Sequence, residues 1–192
     1  MNHNNPHSIV LMLVLSTACS DEPTSHSSRA DATSAELAPA PTRATARYEV
    51  DFMTDMIDHH AMAVEMAELC LEKAVHADLL AMCGDIIAAQ SAEIETLQSW
   101  LLDWYGLSHE PAMSTSGQKR MAKLSTLECA DFEIAFMEMM IKHHRGAVKE
   151  GERCTDKAYH APLIELCENI VVTQATEIVT LEQWLCAWYG RC

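Results

Sequence analysis

Residues 52–106 read FMTDMIDHHAMAVEMAELCLEKAVHADLLAMCGDIIAAQSAEIETLQSWLLDWYG, and residues 136–190 read FMEMMIKHHRGAVKEGERCTDKAYHAPLIELCENIVVTQATEIVTLEQWLCAWYG, with no gap between the copies when aligned. The copies share a His-His pair, two cysteines, a third histidine, a Gln-x-x-Glu, two tryptophans and a final Trp-Tyr-Gly. A duplicated unit of this length is one structural module used twice, and the residues kept in both copies indicate what that module requires.

Each repeat predicts a helical hairpin. In the first repeat, apolar residues recur at spacings of three and four from Met53 to Cys70 and again from Leu79 to Trp104, which places them on one face of each helix. The break falls at residues 75–78 and, in the second copy, at 159–162. Two hairpins with one apolar face each bury those faces together. The sequence therefore predicts an all-α fold, a single four-helix bundle over residues 48–192 in which residues 107–128 link the repeats.

Placing the turn between His76 and Ala77 aligns specific residues across the first hairpin. It sets His60 opposite Glu93 and Cys70 opposite Cys83, and the second copy repeats both pairs. His76 and His160 stand at the turns, where we predict that they cap the second helix of each hairpin. Gly106 and Gly190 are predicted helix stops.

The cysteines match across the predicted hairpins. Two cysteine pairs lie near the turns and a third lies at the open end of the second hairpin. We predict that all three are disulfides, which form in an oxidising compartment. Cys186 is then left without a partner in this scheme. The competing interpretation is that the four turn cysteines are thiolate metal ligands. The predicted disulfides are Cys70–Cys83, Cys154–Cys167 and Cys129–Cys192.

A polar layer interrupts each apolar face. A buried Glu or His needs a partner, so the layer could be a hydrogen-bond network that fixes hairpin register. Alternatively, two imidazoles and two carboxylates on facing helices could hold a metal ion. No Glu-x-x-His pair occurs on the predicted helices, which argues against a di-iron oxidase. The layer consists of His60, Gln90 and Glu93 in the first repeat and His144, Gln174 and Glu177 in the second.

His59 and His143 complete the two His-His pairs at the edge of the apolar face. Helical spacing puts Asp55, Met62 and Met66 beside His59. A cluster of imidazole, carboxylate and thioether groups suits copper, and thioethers favour Cu(I). The equivalent positions in the second repeat hold Met139, Gly146 and Glu150, so the two halves should differ as metal sites. The alternative is that these methionines only pack between helices.

Composition narrows the partners. The formal net charge of -15 argues against a nucleic-acid partner, because a phosphate backbone requires a basic face. The 12 Met, 10 His and 8 Cys residues are all metal-ligand types.

The N-terminal segment predicts export. Residues 1–18 contain a short apolar run followed by Leu-Ser-Thr-Ala-Cys, which resembles a bacterial lipoprotein signal with Cys19 as the lipidated residue. Residues 19–47 are rich in Ser, Thr, Ala and Pro and are predicted to be a disordered tether. We therefore expect a periplasmic or outer-membrane lipoprotein that contacts the membrane through its lipid anchor alone.

The motif Phe-Met-x-x-Met-Ile-x-His-His-x-x-Ala-Val, followed by Gln-x-x-Glu-Ile-x-x-Leu-x-x-Trp-Leu, resembles the bacterial "domain of unknown function 305" family. The resemblance covers both repeats and implies an exported, ferritin-like helical bundle. Some members have been linked to periplasmic copper or silver binding through Met and His. The resemblance implies these candidate ligands: His59, His60, His143, His144, Met53, Met56, Met137 and Met140.

Three functions are consistent with the sequence. The first is a metal-binding protein that buffers copper or a similar cation and passes it to an exported metal-handling partner. The second is a ferritin-like metal-dependent oxidase that uses the His/Glu layer. The third is a structural or interaction bundle without metal.

Overall fold

The computed structural model describes residues 38–192. This part of the chain contains no strand, which confirms the all-α prediction. It forms five helices: α1 (Arg43–Lys73), α2 (Ala77–Tyr105), α3 (Thr115–Leu124), α4 (Cys129–Lys157) and α5 (Ala161–Tyr189). The sequence predicted four, and the additional helix, α3, lies inside the segment 107–128 that was predicted as a plain linker.

The ends of the helices follow local capping chemistry. The hydroxyl of Thr42 accepts a hydrogen bond from the backbone N–H of Thr45 and starts α1. Gly106 and Gly190 both adopt φ 66 and end α2 and α5, a left-handed conformation that glycine adopts without a steric penalty. Residues 43–47 are helical, so the predicted tether extends too far. The N-cap at Thr42 starts the helix inside the segment that was predicted to be disordered.

The helices pack in two pairs that follow one another along the chain. α1 packs against α2, and α4 packs against α5. Disulfides Cys70–Cys83 and Cys154–Cys167 close the hairpins near their turns, each across 13 positions of sequence. Bridges of this kind typically stabilise a fold by about 2–4 kcal/mol.

The predicted Cys129–Cys192 disulfide is wrong. Cys192 pairs with Cys186 instead, with their Cα atoms 4.5 Å apart, and the thiol of Cys129 is free and exposed. The prediction extended the antiparallel alignment of the second hairpin past the helix stop at Gly190, which set Cys192 opposite Cys129. The helix stops at Tyr189, and the left-handed Gly190 turns the last residues back toward Cys186.

The hairpins pack head to tail through α1 and α4. Two apolar clusters result, and each joins the turn end of one hairpin to the open end of the other. One contains Cys70, Leu79, Cys83, Phe132, Phe136, Leu181 and Leu185, and the other contains Phe52, Leu97, Leu101, Trp104, Cys154, Leu163 and Cys167. The His-His pairs that the two repeats share lie along the helices between these clusters.

Among the described helices, none combines the length and hydrophobicity that a bilayer crossing requires. The predicted export signal and the candidate lipidation site at Cys19 lie outside the described residues.

Candidate metal site between α1 and α4

The imidazoles of His59 and His143 meet where α1 packs against α4. Their ring centroids are 3.6 Å apart and their planes differ by 32°. The residues occupy equivalent positions in the two repeats, so the duplicated module brings its own copies into contact. Sequence analysis predicted a His59 site and a His143 site separately, whereas the structure joins them.

Three of the four ring nitrogens of this pair are buried without a hydrogen-bond partner. Nδ1 of His59 and both ring nitrogens of His143 are buried without one. Burial, and then the neighbouring imidazoles, lower the pKa of His59 from 6.5 to about 3 and that of His143 to about 2. Both rings are therefore neutral at physiological pH, the form in which imidazole binds metal ions.

A cavity of about 480 Å³ borders the two imidazoles. Three thioethers reach it, from Met62 on α1, Met113 in the linker and Met139 on α4. Imidazole together with thioether is a ligand set that suits copper, with the thioethers favouring Cu(I). The remaining side chains that give the cavity its charge are Asp55, Asp58, Arg120 and Lys142.

A second cavity of about 160 Å³ also borders His59. It is acidic, with Asp51, Asp55 and Glu150 in its wall. Burial, and then the charges of Asp51, Asp58 and Glu150, raise the pKa of Asp55. Asp55, predicted as a supporting residue for the site, lines both cavities.

The linker covers one side of the larger cavity. Asp58 holds it in place, because Oδ1 of Asp58 lies 2.8 Å from His109 Nε2 and accepts a 2.8 Å hydrogen bond from the backbone N–H of Ala112. The hydroxyl of Ser114 then caps α3 through the N–H of Gly117. Met113 was not predicted as a cavity residue, because the linker lies outside the repeat and carries no apolar periodicity of its own.

The predicted His/Glu layer forms two separate pairs. Nε2 of His60 lies 2.7 Å from Glu93, and Nε2 of His144 lies 2.7 Å from Glu177, each within its own hairpin. These approaches are close but not aligned as hydrogen bonds, so the nitrogens remain unpartnered, as do the side-chain oxygens of Gln90 and Gln174. Residues 38–192 contain no group of three or more His, Cys, Asp or Glu side chains arranged to hold a metal ion. The structure thus places these residues in register across each hairpin without assembling one shared centre.

The methionines implied as ligands by the resemblance are core residues. Met53 and Met56 belong to one apolar cluster, and Met137 and Met140 belong to the other. Met53, Met137 and Met140 are fully buried and border neither cavity, whereas Met56 borders the smaller one.

Two glutamates missed by the sequence analysis lock the hairpins together. Fully buried Glu49 accepts hydrogen bonds from Tyr105 and from the backbone N–H groups of Tyr159 and His160 at the turn of the other hairpin. Glu133 does the same with Tyr189 and with the N–H groups of Val75 and His76. The signal was present in the sequence: these glutamates occupy equivalent positions, three residues before the start of each quoted repeat.

His76 and His160 do not cap their helices with their side chains. Each ring instead enters the opposite hairpin. His160 stacks on Trp104 at 3.8 Å, and His76 stacks on Trp188 at 4.0 Å. The capping prediction is wrong because Nδ1 of each ring lies against a carboxylate of the other hairpin, Glu133 for His76 and Glu49 for His160, and not against its own helix.

These features define an all-α protein with duplicated hairpins and a buried imidazole pair beside a methionine-lined cavity. The model of a family described as "domain of unknown function (DUF305)" matches residues 49–185, so the chain belongs to the DUF305 family. This confirms the resemblance drawn from the His-His and Gln-x-x-Glu motifs.

Solved structures share the fold. CopM in its Cu(I)-bound form is 28% identical, with a TM-score of 0.67 over 74% of this chain and 98% of CopM. A DUF305 fragment from Deinococcus radiodurans is 30% identical, with a TM-score of 0.66 over 80% of this chain and 99% of the fragment. A Streptomyces coelicolor DUF305 protein that is assumed to be secreted is 25% identical, with a TM-score of 0.65 over 72% of this chain and 91% of its own. A search of curated protein sequences returns no match.

Proposed function

We propose that the protein binds and buffers copper or a similar soft cation outside the cytoplasm. The observation that carries the proposal is the contact between the neutral imidazoles of His59 and His143, whose buried nitrogens lack partners beside a cavity lined by three thioethers. A buried polar atom without a partner is costly, and a bound metal ion would satisfy it. The structures of CopM bound to Cu(I), Cu(II) and Ag support the proposal of a soft cation as the ligand.

The proposal extends to location and architecture. Disulfides favour an oxidising compartment, in agreement with the assumed secretion of the Streptomyces coelicolor relative. We propose lipidation at Cys19 as the membrane anchor and a ferritin-like four-helix bundle, α1, α2, α4 and α5, as the body. An exported metal-handling protein would be the partner that receives the cation.

The oxidase alternative gains no support from a specific feature of the described residues. The structural alternative does account for one part of the site. His60 with Glu93 and His144 with Glu177 bridge the helices of single hairpins, which is what a register-setting pair would do. We therefore assign that layer to hairpin register and assign metal binding to the His59–His143 pair.

Competitive titration with a chromophoric Cu(I) chelator tests the proposed function. The wild-type chain is expected to take Cu(I), whereas the His59→Ala/His143→Ala variant should lose that binding while keeping its helical circular dichroism. Val172→Ala/Val179→Ala is the control double variant, because both side chains are exposed on α5 and line neither cavity. Equal Cu(I) binding by wild type and the double alanine variant would refute the proposed site.

A further inference from the structure

The two halves of the candidate site differ at one position. Met62 and Gly146 are equivalent residues of the two repeats, three positions after His59 and His143, respectively. The second repeat therefore lacks a side chain where the first carries a thioether. A methyl group built at position 146 would lie 3.3 Å from Nε2 of His59.

The two imidazoles also differ in the cavities that they border. His59 borders both the 480 Å³ and the 160 Å³ cavities, and so does Gly146. His143 borders the larger cavity alone, and both of its ring nitrogens are buried. The free space around the pair is thus concentrated on the Gly146 side of His59.

From this geometry we infer that Gly146 keeps Nε2 of His59 open to the cation, so that His59 is the primary ligand and His143 the secondary one. The inference rests on the proposed function and names the residue that controls access to its site. A metal ion binds an imidazole nitrogen at about 2.0–2.1 Å. A methyl group 3.3 Å from that nitrogen would occupy the space needed by the ion and its other ligands.

Helix chemistry supports a functional reason for this glycine. Gly146 lies in the interior of α4, where alanine is the better helix former and glycine is disfavoured. Its φ is not in the left-handed region, because the positive-φ glycines of residues 38–192 are Gly106 and Gly190. The backbone therefore does not require glycine at position 146, whereas the space beside His59 does.

The test compares Gly146→Ala with Gly84→Ala. Gly84 lies inside α2, and a methyl group there meets nothing within 4 Å, so this control isolates the helix effect. Both variants should keep their helical circular dichroism, and Gly84→Ala should raise the thermal midpoint. Gly146→Ala should weaken Cu(I) binding by about 10- to 100-fold, the range for perturbed metal surroundings, whereas Gly84→Ala should bind like wild type.

A second measurement assigns the ligand without any variant. Imidazole ¹⁵N–¹H correlation spectra of the wild-type chain should show the largest shift at Nε2 of His59 when Ag(I) is added. Cu(I) binding by wild type that is unchanged in Gly146→Ala, or a first shift at His143, would overturn this inference and leave the proposed function standing. Absence of Cu(I) and Ag(I) binding in wild type would refute the proposed function itself.

Discussion

Oε2 of Glu49 lies 2.7 Å from Nδ1 of His160, 111 positions away in the sequence. The contact joins the first helix of one hairpin to the turn of the other, and Glu133 with His76 repeats it at 2.6 Å. Each glutamate also accepts two backbone N–H groups of the same turn. The contacts of Glu49 and Glu133 therefore hold the two hairpins head to tail. This arrangement brings the imidazole of His59 into contact with that of His143.

Removal of the Glu49 or Glu133 carboxylate should destabilise the fold strongly. We expect Glu49→Ala and Glu133→Ala each to lower the free energy of unfolding by about 3–5 kcal/mol, because buried donors lose a charged acceptor. Glu49→Gln and Glu133→Gln should lose less, since the amide oxygen still accepts one set of bonds. Urea denaturation measures both effects. A change below about 0.5 kcal/mol, typical of surface positions, would contradict the assigned role.

The imidazole pair predicts a pH dependence in the metal-free protein. The pKa values of His59 and His143 in the folded chain, about 3 and about 2, lie below the ordinary value of 6.5. The unfolded chain therefore binds more protons below pH 6.5. The stability contributed by the neutral rings is complete above pH 6.5 and is lost as the pH falls toward the folded pKa values, at up to about 1.4 kcal/mol per pH unit and imidazole.

Urea unfolding of chelator-treated protein between pH 7.5 and 5 is the measurement. The His59→Asn/His143→Asn variant should show a flatter pH dependence over this range. Glu49 does not interfere, because its hydrogen bonds lower its pKa below 4.5 despite the opposing effect of burial. Identical slopes for variant and wild type would mean that the rings are not held neutral in the fold.

Two sets of methionines should behave differently. The cavity residues Met62 and Met139 are candidate thioether ligands, whereas Met53 and Met137 are fully buried away from both cavities. Leucine conserves volume and typically costs less than about 1.5 kcal/mol in a core. We expect Met62→Leu/Met139→Leu to weaken Cu(I) binding and Met53→Leu/Met137→Leu to leave it unchanged in the same chelator competition. The reverse ranking would restore the ligand set implied by the family resemblance.

The revised cysteine pairing has a simple chemical test. Alkylation before reduction should label Cys129 within residues 38–192, because Cys186 and Cys192 are bonded to each other. Tryptic mapping should then find label on the peptide that spans residues 124–142. A label on Cys186 with Cys129 bonded would support the pairing predicted from the sequence.

The helical periodicity of the sequence predicted the contacts within each hairpin. The turn at His76, the Cys70–Cys83 bridge and the His60–Glu93 contact all follow from helical periodicity and antiparallel alignment. The relation between hairpins could not be obtained in this way. It depends on which apolar faces meet and on Glu49 and Glu133, which lie outside the stretch quoted as the repeat.

Part of the candidate site could be predicted from the sequence for the same reason. Sequence spacing placed Met62 near His59 and Met139 near His143, because each of these pairs lies on one helix. Met113 was not predictable, since its position depends on how Asp58 holds the linker. The contact between His59 and His143 likewise requires the packing of two helices that are distant in sequence.

The most direct test of the central claim is an anomalous difference map from Cu(I)-loaded crystals, recorded at the copper absorption edge. A copper peak is expected about 2 Å from Nε2 of His59, beside Gly146 and the thioethers of the larger cavity. A copper peak between Glu93 and Glu177, or one remote from both imidazoles of the pair, would contradict it.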